Sequence, residues 1–138
     1  MREFKFRGRI IDRKEWLYGP LLRQSYRGSA KWYIGYIQNG SIQGLEVDPN
    51  TVGQFTGLTD KNGKEIYEGD ILTNDRCDIL HIVAYSEEKA RFVGIIPSLR
   101  EKSGKPVTTG LNQPWLTSKE KTVVGNIHDN HELINAES

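Results

Sequence analysis

Cys77 is the only cysteine among 138 residues, so no intramolecular disulfide can form, and a reducing compartment is the simplest setting. No apolar run approaches the roughly 20 residues of a membrane-spanning helix. The opening Met1 to Trp16, MREFKFRGRIIDRKEW, is charged but leads into no apolar block or small-residue cleavage site, so it does not read as a secretory signal. These absences place the expected location in the cytoplasm, with no membrane partner. Also missing are a dinucleotide fingerprint and a phosphate-binding glycine loop, since Gly104-Lys105 lacks the required spacing. With no nucleophile beside a recognisable base, the chain reads as non-enzymatic, and nothing in it calls for a cofactor.

What is present suits a turn-rich β protein of one compact unit or two very small ones. Glycine outnumbers proline 14 to 5, while 36% hydrophobic residues are enough to build a core. The net charge of +1 hides a division: residues 1–46 carry nine Lys or Arg against four Asp or Glu, and residues 47–80 carry three against seven. Such segregation, with exposed β edges, admits a homo-oligomer; the plainer reading is two solvated faces of different sign.

Phe4 and Phe6 alternate with polar residues at the two-residue period of a half-buried strand, extended by Ile10 and Ile11. Glu15 to Leu22 is broken by Gly19-Pro20, which suits a strand meeting a turn. Lys31 to Ile37, KWYIGYI, is aromatic and β-rich, and Gln38-Asn39-Gly40-Ser41 follows as a hairpin turn. Asp48-Pro49-Asn50-Thr51 reads as a turn or a short helical turn capped by Asp48. Asp60 to Glu65 is the strongest turn, because Asn62-Gly63 tolerates positive φ. Further strands are expected at Ile79 to Tyr85 and Arg91 to Ile96, with a closing strand from Val123. Ser98 to Thr122 carries Gly104, Pro106, Gly110 and Pro114 among charged residues and reads as a long mobile loop pinned by Trp115-Leu116.

Three separated motifs in order carry a family resemblance: Met1 to Arg7, MREFKFR; Gln54 to Leu58 with Asp60 to Leu72, QFTGL and DKNGKEIYEGDIL; and Val123 to Leu133, VVGNIHDNHEL. On these the chain resembles the YopX family of small bacteriophage and prophage proteins, which has no established biochemical activity. His131 departs from the pattern, which more often has Pro there. The resemblance implies a phage or prophage origin, a mainly β fold with an SH3-like C-terminal part, and no catalytic residues to carry over. With the strand pattern it gives an N-terminal β unit over residues 1–56, packed on a small SH3-like barrel over 57–138 with a long loop at 98–122.

The expected function is therefore a non-enzymatic accessory protein that binds an unknown host or phage protein through loops on a rigid scaffold. Trp115 and Leu116 would anchor the partner, the plain alternative being that Trp115 tucks the loop against the barrel. A second reading takes Arg23, Arg27, Lys31, Trp32 and Tyr33 as a basic aromatic groove for nucleic acid, with cations for phosphates and rings for bases; strand-spaced aromatics are more often core. A third is a metal-dependent enzyme built on His81, His128 and His131 with Cys77 and the acidic Asp70, Asp75 and Asp78, against which stand ordinary surface histidines and turn-making carboxylates. The Asp60-Lys61-Asn62-Gly63 run lacks the ligand spacing of a calcium loop and reads as a hairpin turn.

Overall fold

The computed structural model describes residues 3–74 and 79–135. The protein is mainly β, and it divides into two compact units between Phe55 and Thr56. Among the described residues no helix is long and apolar enough to cross a membrane.

In the first unit β1 (Phe6–Arg9) pairs antiparallel with β2 (Trp16–Gly19) and with the start of β6 (Gly53–Thr59). The strands β3 (Leu21–Tyr26), β4 (Ser29–Gln38) and β5 (Ser41–Val47) form a three-stranded antiparallel sheet. Its two-residue turns, Arg27-Gly28 and Asn39-Gly40, have positive φ at both positions, the geometry that matches the twist of the flanking strands. The core gathers Ile10, Ile34, Val47 and Phe55. Gly8 lies so close to Val47 that an added Cβ would stand 2.9 Å from its side chain, and at Gly19 it would stand 2.5 Å from the Gly35 carbonyl oxygen. Asp48 caps the 3-10 turn Pro49–Thr51, its side chain accepting from Asn50 N at 3.0 Å.

In the second unit the end of β6 pairs with β7 (Glu65–Tyr67) across the Asp60–Lys64 turn. A five-stranded antiparallel sheet follows, built from β8 (Asp70–Thr73), β9 (His81–Ser86), β10 (Arg91–Arg100), β11 (Pro106–Gly110) and β12 (Thr122–Asn126). Its order is β11-β10-β9-β8-β12, so consecutive strands meander and the last returns beside the first. A short helix α1 (Gln113–Ser118) precedes β12, and α2 (His131–Asn135) follows it. Ile66, Leu72, Val83 and Leu116 form the buried cluster, with Leu58, Leu111, Trp115 and Val123 against it.

Residues 98–122 are not a long loop. Ser98 to Arg100 continue β10, and Gly104, at φ 88°, turns the chain so that Glu101 N donates to Lys105 O at 2.8 Å. Val107, Thr108 and Thr109 then pair with Ile96, Ile95 and Gly94. Pro106 opens β11 and Pro114 sits in the first turn of α1, two positions where a missing N–H is tolerated. Asn112 caps that helix, its Oδ1 accepting from Trp115 N at 2.8 Å.

Candidate functional site

The residues most distinctive in the sequence turn out to hold the second unit together. Asp60 is 6% exposed; its Oδ1 accepts from Asn62 N and Lys64 N at 2.8 and 2.9 Å, and its Oδ2 accepts from Val123 N at 3.0 Å. One carboxylate thus closes the hairpin turn and fastens β12 to it. Asp70, buried, accepts from Tyr67 N at 2.8 Å across the Glu68-Gly69 turn. Asn126 Oδ1 accepts from His128 N and Asp129 N, both at 2.9 Å, and Asn130 Oδ1 accepts from Asn126 N at 3.1 Å. Gly125 makes room for that amide: an added Cβ would stand 2.4 Å from Asn130 Oδ1. These polar groups are committed to backbone donors, which is a structural use of acid and amide side chains.

The basic aromatic stretch divides between two faces, because side chains alternate along a strand. Arg23 and Trp32 are opposite one another and opposite Val47, on the face that carries the buried Ile34 and Val47. Lys31, opposite Gln24, and Tyr33, opposite Leu22 and Glu46, take the other face. Arg27 is in the turn. The Arg23 guanidinium sits 5.6 Å from the Trp32 ring centroid, Lys31 Nζ 4.0 Å from Glu46, and Tyr33 Oη donates to Gln24 at 3.4 Å. The five residues therefore do not line one groove. Instead the Lys31 and Tyr33 face ends in an apolar pair, Ile37 opposite Ile42, 77% and 75% exposed, with Leu22 on the same face opposite Tyr33 and Tyr26 at the far end of the sheet opposite Ser29. Gly35 and Gly44, opposite each other between them, keep the sheet surface low.

Trp115 and Leu116, adjacent on α1, go different ways. Leu116 is fully buried in the core cluster, so it offers no surface to a partner, a correction to its expected role as an anchor. Trp115 is half-buried and lines a cavity of about 300 Å³. Ile79 and Ile96 form apolar walls there, Asn74, His81 and Thr109 supply polar groups, and Lys119 and Lys121 supply charge. The His81 imidazole meets the Trp115 ring edge to face at 5.1 Å, and lies over Gly94, whose missing side chain leaves it room. Lys121 is 4% exposed; its Nζ donates to Ile79 O at 3.3 Å and stands 5.6 Å from the Trp115 ring centroid.

Burial, followed by the charge of Lys121, pushes the His81 pKa from 6.5 down to about 4, with the Ile79 backbone opposing weakly. His81 is thus neutral in the fold, and its Nδ1 is buried without a hydrogen-bond partner. Since the folded pKa is depressed, stability from this group is present above pH 6.5 and lost as pH falls towards 4. Wild type should lose on the order of 2–3 kcal/mol more than His81→Phe between neutral pH and pH 4. Urea unfolding at stepped pH checks this, and parallel curves for the two proteins would count against it.

Among the described residues no three His, Cys, Asp or Glu side chains gather in a group that could hold a metal ion. His81 is in the sheet, His128 in the turn after β12, and His131 exposed at the start of α2. Cys77, Asp75 and Asp78 lie outside the described residues.

A family model described as YopX protein matches residues 5–135, nearly the whole chain. The chain belongs to the YopX family. No curated protein matches it. A solved relative is similar: the crystal structure of protein EF1440 from Enterococcus faecalis, at 25% identity and a TM-score of 0.59, over 96% of this chain and 98% of that one. Within this YopX chain the departure at His131 now has a place, since it opens α2, the position where proline is tolerated best.

Proposed function

We propose that this YopX-family protein is a non-enzymatic phage or prophage accessory protein, acting in the cytoplasm by binding a host or phage protein. Its second unit would be a small SH3-like barrel, and its first unit the β element that carries the partner surface. The barrel reading draws support from the strand order β11-β10-β9-β8-β12, a meander whose last strand returns beside the first after a short helix.

The partner surface is supported by one observation, the Ile37–Ile42 pair. Two β-branched side chains directly opposite each other, about three-quarters exposed and flanked by Leu22 at 44%, make an apolar stripe on a rigid antiparallel sheet. Covering such side chains contributes roughly 25 cal/mol per Å² of apolar surface removed from water. Lys31 and Glu46 at its border would set orientation and contribute little affinity.

Tagged protein should retain a specific protein from nuclease-treated host lysate. Ile37→Ser with Ile42→Ser should reduce that retention about tenfold or more, with an unchanged circular dichroism spectrum because both side chains face solvent. Undiminished retention by the folded double variant would remove the assignment. Nucleic acid recovered from a parallel capture without nuclease, with no protein retained after nuclease, would transfer the assignment to nucleic acid.

A further inference from the structure

The first unit carries a strand whose outer side is open. β3 borders its three-stranded sheet, and among the described residues no strand pairs with its far side. Leu22 to Tyr26 are all exposed, and their register with β4 runs without a bulge. Several other borders are engaged or interrupted. β5 is met near its end by Ile10, with Ile11 N donating to Glu46 O at 3.0 Å, and β12 is held to the Asp60–Lys64 turn through Val123. β11 opens on Pro106, beside a register shift. A border strand is normally guarded by proline, a bulge or an outward charge. β3 contains no proline, and its one cation, Arg23, stands over the Trp32 ring on the sheet face.

The hairpin dictates which backbone groups of β3 point outward. Its two-residue turn, Arg27-Gly28, makes Tyr26 and Ser29 a pair that exchanges hydrogen bonds, and Gly35 N donating to Pro20 O at 2.9 Å keeps the same alternation at the other end. Leu22, Gln24 and Tyr26 therefore direct their N–H and C=O to β4, and Arg23 and Ser25 direct theirs away from it. Those outward groups fit a second β3 running antiparallel. Two symmetric registers overlap five residues of the strand. One sets Arg23 against the partner's Arg23, like charges directly opposite. The other centres on Gln24 and sets Arg23 against the partner's Ser25 on both sides of the axis, which makes four backbone hydrogen bonds. Leu22 then meets the partner's Tyr26 in the closer kind of pair, about 4.5 Å between Cα atoms, so two exposed apolar side chains cover each other.

We infer that β3 is a self-association edge, at which two copies of this chain pair β3 to β3 antiparallel, with Gln24 on the twofold axis, into one six-stranded sheet. The same edge is used on both copies, so the assembly closes at two. Opposite residues on paired strands share a face, so the Ile37–Ile42 stripes of both copies come to lie on one side of the joined sheet. The edge is separate from that stripe, and the dimer does not depend on a partner binding there. Its interface is small, which makes the dimer weak and reversible.

Sedimentation of the full chain from micromolar to millimolar concentration should show a monomer–dimer equilibrium. Ser25→Pro removes an outward N–H and leaves the bonds to β4, so the hairpin should persist while the dimer weakens at least about tenfold. In a Cys77→Ser background, Gln24→Cys should form a disulfide-linked dimer on mild oxidation, because the two side chains stand directly opposite across the axis, and Arg23→Cys should not. The cysteine readout holds even if Ser25→Pro fails to fold. Ile37→Ser with Ile42→Ser should dimerise like wild type, so failure of the edge and failure of the partner surface are distinguishable. A monomer at every concentration, a dimer undiminished in folded Ser25→Pro, or Arg23→Cys linking in preference to Gln24→Cys would overturn the proposal. So would a dimer lost only in the isoleucine double variant, since the second copy would then sit on the stripe.

Discussion

Asp60→Ala is expected to destabilise the second unit by about 4 kcal/mol, enough to unfold it partly if its stability is in the usual range of 5–15 kcal/mol. Three backbone N–H groups would lose their acceptor together, those of Asn62, Lys64 and Val123. Each bond is charge-assisted, and stranding a buried donor costs about 1–3 kcal/mol. The first two hold a turn that also contains the Asp60 N to Lys64 O bond, so the turn would loosen but persist. The third joins segments 63 residues apart, so its loss loosens β12 from the turn, while β12 stays paired with β8 and Lys61 N still donates to Lys121 O. Asp60→Asn separates these parts. Its carbonyl oxygen still serves the turn, but an amide NH₂ now faces the Val123 N–H, donor against donor. About half of the loss should remain, with faster hydrogen exchange concentrated at Val123 and its neighbours. Exchange is the better readout, because two units need not unfold in one transition. An Asp60→Ala protein within about 1 kcal/mol of wild type at Leu72 and Val83 would show that the carboxylate is not the clamp.

How far the sequence revealed this architecture depends on how local each signal was. Asn39-Gly40 and the turn at Gly63 were legible because a positive φ demand, at Asn39, Gly40 and Gly63, is met by the residues themselves. Asp48 was legible as a cap for the same reason. Residues 98–122 were not, because Pro106 and Pro114 mark the starts of elements as readily as loops, and nothing nearby says which. The Arg27-Gly28 turn was missed, since Arg at positive φ has no residue signature. The basic aromatic groove failed on periodicity: Arg23 with Trp32 and Lys31 with Tyr33 belong to opposite faces once the register is fixed, and a list of residue types carries no register. At the cavity, His81 and Trp115 were noticed separately, as a metal ligand and as an anchor. Asn74, Thr109, Lys119 and Lys121 were not, because they come from separate segments and no spacing joins them. The acceptor role of Asp60 towards Val123 is likewise a fact of tertiary structure, although both residues lie in the segments that carried the family resemblance.

Leu116→Ala should cost the second unit about 3–5 kcal/mol, the range for a fully buried leucine whose cavity cannot collapse. Leu116 packs with Ile66, Leu72 and Val83, so it joins α1 to β7, β8 and β9 at one point. Its backbone is also committed: Leu116 N donates to Asn112 O at 3.1 Å, and Lys121 N donates to Leu116 O at 3.0 Å. A six-residue helix has almost no stability of its own and persists because its buried face is packed. Removing that face should therefore release α1 as a whole, and Trp115 with it. Trp115, one residue earlier, is about 100° away around the helix axis and lines the cavity, so Trp115→Ala should disturb the cavity far more than the fold. The pair of variants decides between two uses of this helix. If Leu116 were a partner anchor, Leu116→Ala would keep its unfolding midpoint and lose only the captured protein. The packing predicts the reverse order, with the midpoint falling first and exchange rising across β8 and β9, and a midpoint unchanged within error would reject the core assignment.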